Sequence, residues 1–174
     1  MGTKPTTWKI TICTLLISIA AVSCSISYKL NGSSIDYSTI KTISISDFPN
    51  NANLVYPPLA QNFNVALKNI FSTRTRLQAV QRNGDLQIEG EITDYKLTPL
   101  SIQSNALAAQ TQLTLTIKVR FTNTKNSKDS FESSMSASQT FDSSQLLTTV
   151  QDALLTTMIK ELTEDIYNQS VAKW

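Results

Sequence analysis

The chain of 174 residues has two cysteines and no histidine, which narrows its chemistry at once. Without imidazole it lacks the side chain that most often serves as general base near neutral pH, and the commonest ligand of transition metals. The better-placed thiol is Cys24, which follows Ala21-Val22-Ser23 at the end of an apolar run. Ahead of that run stands MGTKPTTWK, whose only charges are Lys4 and Lys9. Residues 10–21 then supply roughly a dozen apolar or small side chains, the length of the hydrophobic region of an export signal. A membrane-spanning helix needs about twenty, and the polar Ser25-Ile26-Ser27-Tyr28-Lys29 does not extend the run.

The arrangement resembles the bacterial lipobox. There a cysteine receives a diacylglycerol thioether, becomes the new N-terminus and is then N-acylated. A conventional secretory site with an incidental cysteine and a buried structural thiol are the rival readings; the position of Cys24 at the end of the hydrophobic region favours lipidation. The expected organisation is a signal peptide over residues 1–23, a lipidated tether over 24–38 and one domain over 39–174. Cys13 would leave with the signal. Cys24 is then the sole retained thiol and is acylated, so a disulfide within the mature chain, Cys/His catalysis and zinc sites are excluded. No metal and no cofactor is expected beyond the acyl chains, which at about 0.8 kcal/mol per buried CH₂ hold a doubly or triply acylated protein firmly on a membrane. No Asp adjoins Cys24 and no acidic cluster follows it, which by similarity to bacterial sorting rules implies the periplasmic leaflet of the outer membrane.

The chain carries 15 basic and 13 acidic residues. Loss of Lys4 and Lys9 with the signal leaves a nearly neutral domain, with no basic field to recruit nucleic acid. About 150 residues suffice to bury one core without covalent staples. Charged residues make up only 16%, and abundant Ser, Thr, Asn and Gln give a surface suited to hydrogen bonding with another protein.

The elements follow from periodicity. Lys41-Thr-Ile43-Ser-Ile45-Ser46 alternates as a half-buried strand does. Pro57 and Pro58 suit a helix's first turn, and Leu59, Phe63, Ala66, Leu67, Ile70 and Phe71 share one helical face, predicting an amphipathic helix ending near Thr73. Residues 77–80 read as a short strand. The Asn83-Gly84 pair after it fits a type I′ hairpin turn into the next strand. Along that strand Leu86, Ile88 and Ile92 face one way while Tyr95 and Leu97 are out of step, which predicts a bulge near Thr93-Asp94; Pro99 suits an edge or a strand end. Leu113, Leu115, Ile117, Val119 and Phe121 alternate with Thr114, Thr116, Lys118 and Arg120, the clearest strand in the chain, and a weaker one spans residues 131–141. Asp142-Ser143-Ser144 is expected to cap a long helix with its stripe at Leu147, Val150, Leu154, Leu155, Met158, Ile159, Leu162 and Ile166. The expected fold is α+β: a two-layer sandwich, two helices packed on one face of a mostly antiparallel or mixed sheet of four to five strands.

Taken in order, the lipobox, Phe48-Pro49-Asn50, residues 61–67, Thr73-Arg74-Thr75-Arg76-Leu77, Asn83-Gly84-Asp85-Leu86, Gly90-Glu91-Ile92-Thr93, Phe141-Asp142-Ser143-Ser144, Glu164-Asp165-Ile166-Tyr167-Asn168 and Ser170-Val171-Ala172-Lys173-Trp174 resemble the Bacteroidetes branch of the lipopolysaccharide-assembly lipoprotein family LptE. The resemblance implies a non-enzymatic role. An outer-membrane lipoprotein of this kind plugs the lumen of the β-barrel LptD, helps it fold, and assists lipopolysaccharide into the outer leaflet. A compact body with polar surfaces suits a polar lumen, and a tether raises its concentration near an integral partner.

Two readings stand for each remaining group. Lys118 and Arg120, with Lys96 on a neighbouring strand, meet lipid A phosphates or are ordinary solubilising charge. Arg74, Arg76 and Arg82 complement the helix dipole or contact the barrel. The loops at Phe48, Pro49 and Asn50 and at Tyr56 and Pro57 contact the barrel or serve turn chemistry. The alternative function is a free-standing periplasmic lipid-binding lipoprotein of the outer membrane, without a barrel. An enzyme is not expected.

Overall fold

A computed structural model describes residues 35–100 and 109–171. The expected signal peptide, Cys24, most of the expected tether, residues 101–108 and the last three residues lie outside the described residues. The elements are β1 (Thr42–Ile45), α1 (Pro58–Arg74), β2 (Gln78–Val80), β3 (Leu86–Leu100), β4 (Gln110–Asn123), β5 (Phe131–Asp142) and α2 (Leu147–Val171), with a 3₁₀ turn at Ser127–Asp129. The five strands form one mixed sheet in the order β2-β1-β3-β4-β5, and with the two helices this is the expected α+β arrangement.

The helices cover one face because that face is where the apolar halves of the strands point. Leu86, Ile88, Ile92 and Tyr95 of β3, Leu113, Leu115, Ile117, Val119 and Phe121 of β4, and Met135 and Ala137 of β5 are buried against Leu59, Phe63, Leu67, Ile70 and Phe71 of α1 and Leu155, Met158, Ile159, Leu162 and Ile166 of α2. The register of β3 on β4 slips between Ile92 and Asp94. This is the predicted bulge, and it returns Tyr95 to the core side. The buried Tyr95 hydroxyl then needs a partner, and Gln151 Nε2 donates to it at 2.8 Å. Burial pushes the Tyr95 phenol above its usual range, while the Gln151 bond opposes that. Pro99 occupies the far end of β3, opposite Thr111 and beyond the reach of the four-residue β1, so its missing N–H breaks no ladder.

Two expectations are corrected. Asn83-Gly84 does not turn a hairpin: β2 and β3 both pair with β1, and both pair parallel to it. The loop between them crosses the outer face of β1, where the Gly84 N–H donates to Ser44 Oγ at 3.3 Å. Asn83 has φ 56° and Gly84 has none of the positive φ that a type I′ turn requires. Gly84 is needed for closeness, since a Cβ there would sit 2.5 Å from Ser44 N and 2.7 Å from Ile43 C. Nor does Asp142-Ser143-Ser144 cap α2, which begins at Leu147. Asp142 Oδ1 instead accepts from Ser144 N at 2.8 Å and from Ser144 Oγ at 2.6 Å, closing an Asx turn at the end of β5.

The parallel part of the sheet is fastened at one point. Asp85, just before β3, accepts at Oδ2 from Lys41 N at 2.9 Å, Thr42 N at 3.0 Å and Thr42 Oγ1 at 3.0 Å. Its Oδ1 meets Lys125 Nζ at 2.9 Å. The Lys125 ammonium, then the Lys41 N–H and the Thr42 hydroxyl, hold the Asp85 carboxyl far below the usual carboxylate range. A depressed folded-state value stabilises the fold above the unfolded carboxylate's value of about 3.9, and that contribution fades as pH falls below it. Asp85→Ala is therefore expected to lower the urea midpoint at neutral pH, and its deficit relative to wild type should shrink in titrations taken below pH about 4. A deficit of constant size across that range would show that the carboxylate's charge is not what matters.

Candidate functional site

Among the described residues no group of acidic side chains is placed to hold a metal, and no helix is long and apolar enough to cross a membrane. What the fold offers a partner is surface, of three kinds.

The first is the sheet face that the helices leave open. Pairing lays Glu89 opposite Arg120, Glu91 opposite Lys118, Asp94 opposite Thr116 and Lys96 opposite Thr114. On the other side of β4, Thr114, Thr116, Lys118 and Arg120 face Ser138, Ser136, Ser134 and Glu132. Hydroxyls bond across the strands, Thr114 Oγ1 to Ser138 Oγ at 3.0 Å and Thr116 Oγ1 to Ser136 Oγ at 2.9 Å. The face is polar along its length up to Leu100, which is exposed at the far end of β3.

Lys118 and Arg120 are brought together by a shared counter-ion. Lys118 Nζ lies 2.8 Å from Glu132 Oε1, and Arg120 binds Glu132 Oε2 through NH2 at 2.9 Å and Nε at 3.0 Å. Hydrogen bonds from Lys118 and then Arg120 lower the Glu132 pKa. Lys96 is not part of this group. It pairs with Asp94 at 2.7 Å, four positions down the β4 ladder from Lys118, about 13 Å at strand rise. The four carboxylates of the face, Glu89, Glu91, Asp94 and Glu132, outnumber its three cations by one. Sequence reading missed Glu132 because its place beside Lys118 and Arg120 is a property of register, which no local pattern of residues 131–141 encodes.

The second surface is a groove of about 650 Å³ between α1 and α2, floored by Ala66, Ile70, Leu155 and Ile159 and edged by Asn62 and Thr163. It is strapped at both ends. The Tyr56 hydroxyl donates to Asp152 Oδ1, which raises the Tyr56 pKa. Arg74 NH2 meets Glu164 Oε1 at 3.0 Å, and the same guanidinium lies 5.5 Å from the centre of the Tyr167 ring, a cation–π distance.

The third is the set of loops expected to meet a barrel, and here the side chains separate. Phe48 is wholly buried, so it is corrected from contact residue to core residue. Its ring packs against Phe63 with centroids 5.1 Å apart and planes tilted by 47°, and it occupies the space that a Cβ on Gly90 would need. Asn64 on α1 grips its backbone, accepting from Phe48 N at 2.8 Å and donating to Phe48 O at 3.3 Å. Pro49 and Pro57 are exposed. Asn50 bridges to Ile92 and accepts from Ala52 N at 3.1 Å. Tyr56 and Arg74 are committed to α2, whereas Arg76 and Arg82 stand exposed on either side of β2. Cys24 lies outside the described residues.

Comparison with known proteins gives the domain its family. A minor lipoprotein from Acinetobacter baumannii superposes with a TM-score of 0.50 at 15% identity, over 75% of this chain and 91% of that one. A hypothetical protein from Chlamydia trachomatis does so with a TM-score of 0.52 at 8% identity, over 75% and 98%. At such identities the likeness is one of fold. No curated protein matches by sequence. The family model described as LptE, lipopolysaccharide-assembly, matches residues 40–170, which is nearly the whole of the described domain from the start of β1 to the end of α2. The chain belongs to the LptE family of lipopolysaccharide-assembly proteins.

Proposed function

We propose that this LptE-family domain is an outer-membrane lipoprotein, anchored through acyl chains on Cys24 in the periplasmic leaflet, that fills the lumen of an LptD-like β-barrel, helps it assemble and assists lipopolysaccharide into the outer leaflet. The observation that carries the reading is the family match over residues 40–170. The open sheet face supports it. A lone domain usually leaves one sheet face to water, and this one, an array of hydroxyls and charges of both signs, suits the polar inner wall of a barrel. Pro49, Asn50, Pro57, Arg76 and Arg82 are the loop residues free to contribute to that contact. Detergent extraction followed by affinity capture tests the reading: the domain should elute with a large β-barrel in fixed ratio, and elution alone with bound lipid would replace it with the free-standing lipid binder.

The helix groove is the feature that favours that second reading, yet its edges of Asn62, Asn69, Thr73 and Lys160 are more polar than the predominantly apolar lining of a buried lipid site. The plug is preferred on that ground.

Lys118 and Arg120, with Lys96 farther along, are the residues proposed to meet lipopolysaccharide phosphates, a phosphate displacing Glu132 from the two cations. The appropriate variant is Lys118→Gln with Arg120→Gln. Glutamates would instead crowd Glu89, Glu91 and Glu132 with like charge. The glutamine pair is expected to weaken lipopolysaccharide binding several-fold with almost no change in Tm, since exposed ion pairs contribute little to stability. Binding indistinguishable from wild type removes these residues from the site.

A further inference from the structure

Cations in this domain are unevenly matched with carboxylates. Lys68, Arg74, Lys96, Lys118, Arg120 and Lys125 each have one within 3.0 Å. Among the described residues Lys41, Arg76, Arg82, Lys128 and Lys160 form no ion pair; Lys41, Arg76 and Lys128 stand at one end of the sheet, and Arg82 lies in the loop that leads from β2 back to Asp85 there. Hydrogen bonds trace that end from strand to strand. Gln78 N donates to Lys41 O at 2.9 Å, joining the starts of β2 and β1. Lys41 N donates to Asp85 at 2.9 Å, joining β1 to the start of β3. Thr124 N donates to Asp85 O at 2.9 Å, joining β3 to the end of β4, and the 3₁₀ turn carrying Lys128 follows.

Three carboxylates near this end, Asp36, Asp85 and Asp129, stand against five cations, Lys41, Arg76, Arg82, Lys125 and Lys128, which leaves an excess of two positive charges. Asp85 is occupied by Lys125 and by backbone N–H groups. Asp36 accepts from Ser38 and Thr39 in its own turn, and Asp129 accepts from Asn123 and Asn126. Lys41, Arg76, Arg82 and Lys128 are all exposed.

The same end receives the chain from its N-terminal side: the turn in which Ile40 N donates to Asp36 O at 2.9 Å immediately precedes β1. We propose that, before the domain enters its barrel, this basic end is a docking surface for anionic phospholipid headgroups of the leaflet that holds the anchor. The proposal rests on the lipid anchor of the preceding section. The eleven residue steps from Cys24 to Ile35 span at most about 40 Å, which confines the basic end near the anchoring leaflet. Charge complementarity selects the occupant, because juxtamembrane basic side chains bind anionic lipid in a salt-dependent way.

The test removes the anchor so that charge alone is read. Mature chain carrying Cys24→Ser is sedimented with vesicles of phosphatidylcholine, with and without phosphatidylglycerol, at low and high salt. The protein should partition onto the anionic vesicles only, and high salt should release it. Each basic side chain contributes about fivefold to such partitioning, so Arg76→Gln with Arg82→Gln should lower it about 30-fold, while Lys160→Gln, at the unpaired cation on α2 away from this end, leaves it unchanged. Equal binding to neutral vesicles, no binding to anionic ones, or an Arg76/Arg82 variant that binds like wild type would each overturn the proposal. In the last case circular dichroism of the variant verifies that it is folded. The vesicles contain no barrel, so failure here and failure of the plug reading are separate results.

Discussion

Phe48→Ala is expected to cost the domain about 3–5 kcal/mol, the usual range for emptying a fully buried aromatic site, and to lower Tm by about 10 °C or more in a domain of this size. The site has little means to collapse. Phe63 on one side is fixed in α1, the Gly90 backbone on the other is fixed in a ladder with β4, and Asn64 holds the Phe48 backbone from both its N–H and its C=O. Thermal unfolding of the isolated domain measures this without any partner. If the variant were as stable as wild type and only lost a partner, Phe48 would have to be returned to the contact surface.

The second large effect belongs to Gly84→Ala. A Cβ would lie 2.5 Å from Ser44 N, 2.7 Å from Ile43 C and 2.7 Å from Leu86 O. All three are backbone atoms, so no rotamer change relieves the overlap. The crossing loop must lift from β1, taking with it the hydrogen bond to Ser44 and straining the Asp85 contacts one residue on. Overpacking commonly costs about 1–3 kcal/mol, and with backbone on every side the upper part of that range is expected. Hydrogen exchange would locate the damage: amides of β1 and β2 should lose protection before those of β4. Were Gly84 merely a turn glycine, alanine would loosen the loop and leave β1 protected.

These two residues also mark the boundary between what is readable in one dimension and what is not. Leu113 to Phe121 read correctly as a strand with one buried face, and the stripes of α1 and α2 as core-facing, because a period of two or of 3.6 is imposed by local backbone geometry and survives in any fold. The bulge at Thr93 was legible for the same reason, as a break in phase. Phe48 and Gly84 sit in loops, where no period exists, and the turn propensity of Asn83-Gly84 pointed to a hairpin that strand pairing overrode.

Sequence alone determined the elements, the layer that must be buried, the absence of imidazole chemistry and the likeness to a lipopolysaccharide-assembly family, since all of these are properties of composition, order and local phase. Tertiary structure decided the parallel pairing of β2 and β3 with β1, the sharing of Glu132 by Lys118 and Arg120, the burial of Phe48, and the gathering of unpaired cations at one end of the sheet. Each of those depends on register and on which strand lies beside which, and these are fixed by contacts between residues far apart in the chain, such as Asp85 with Lys41 and Thr42.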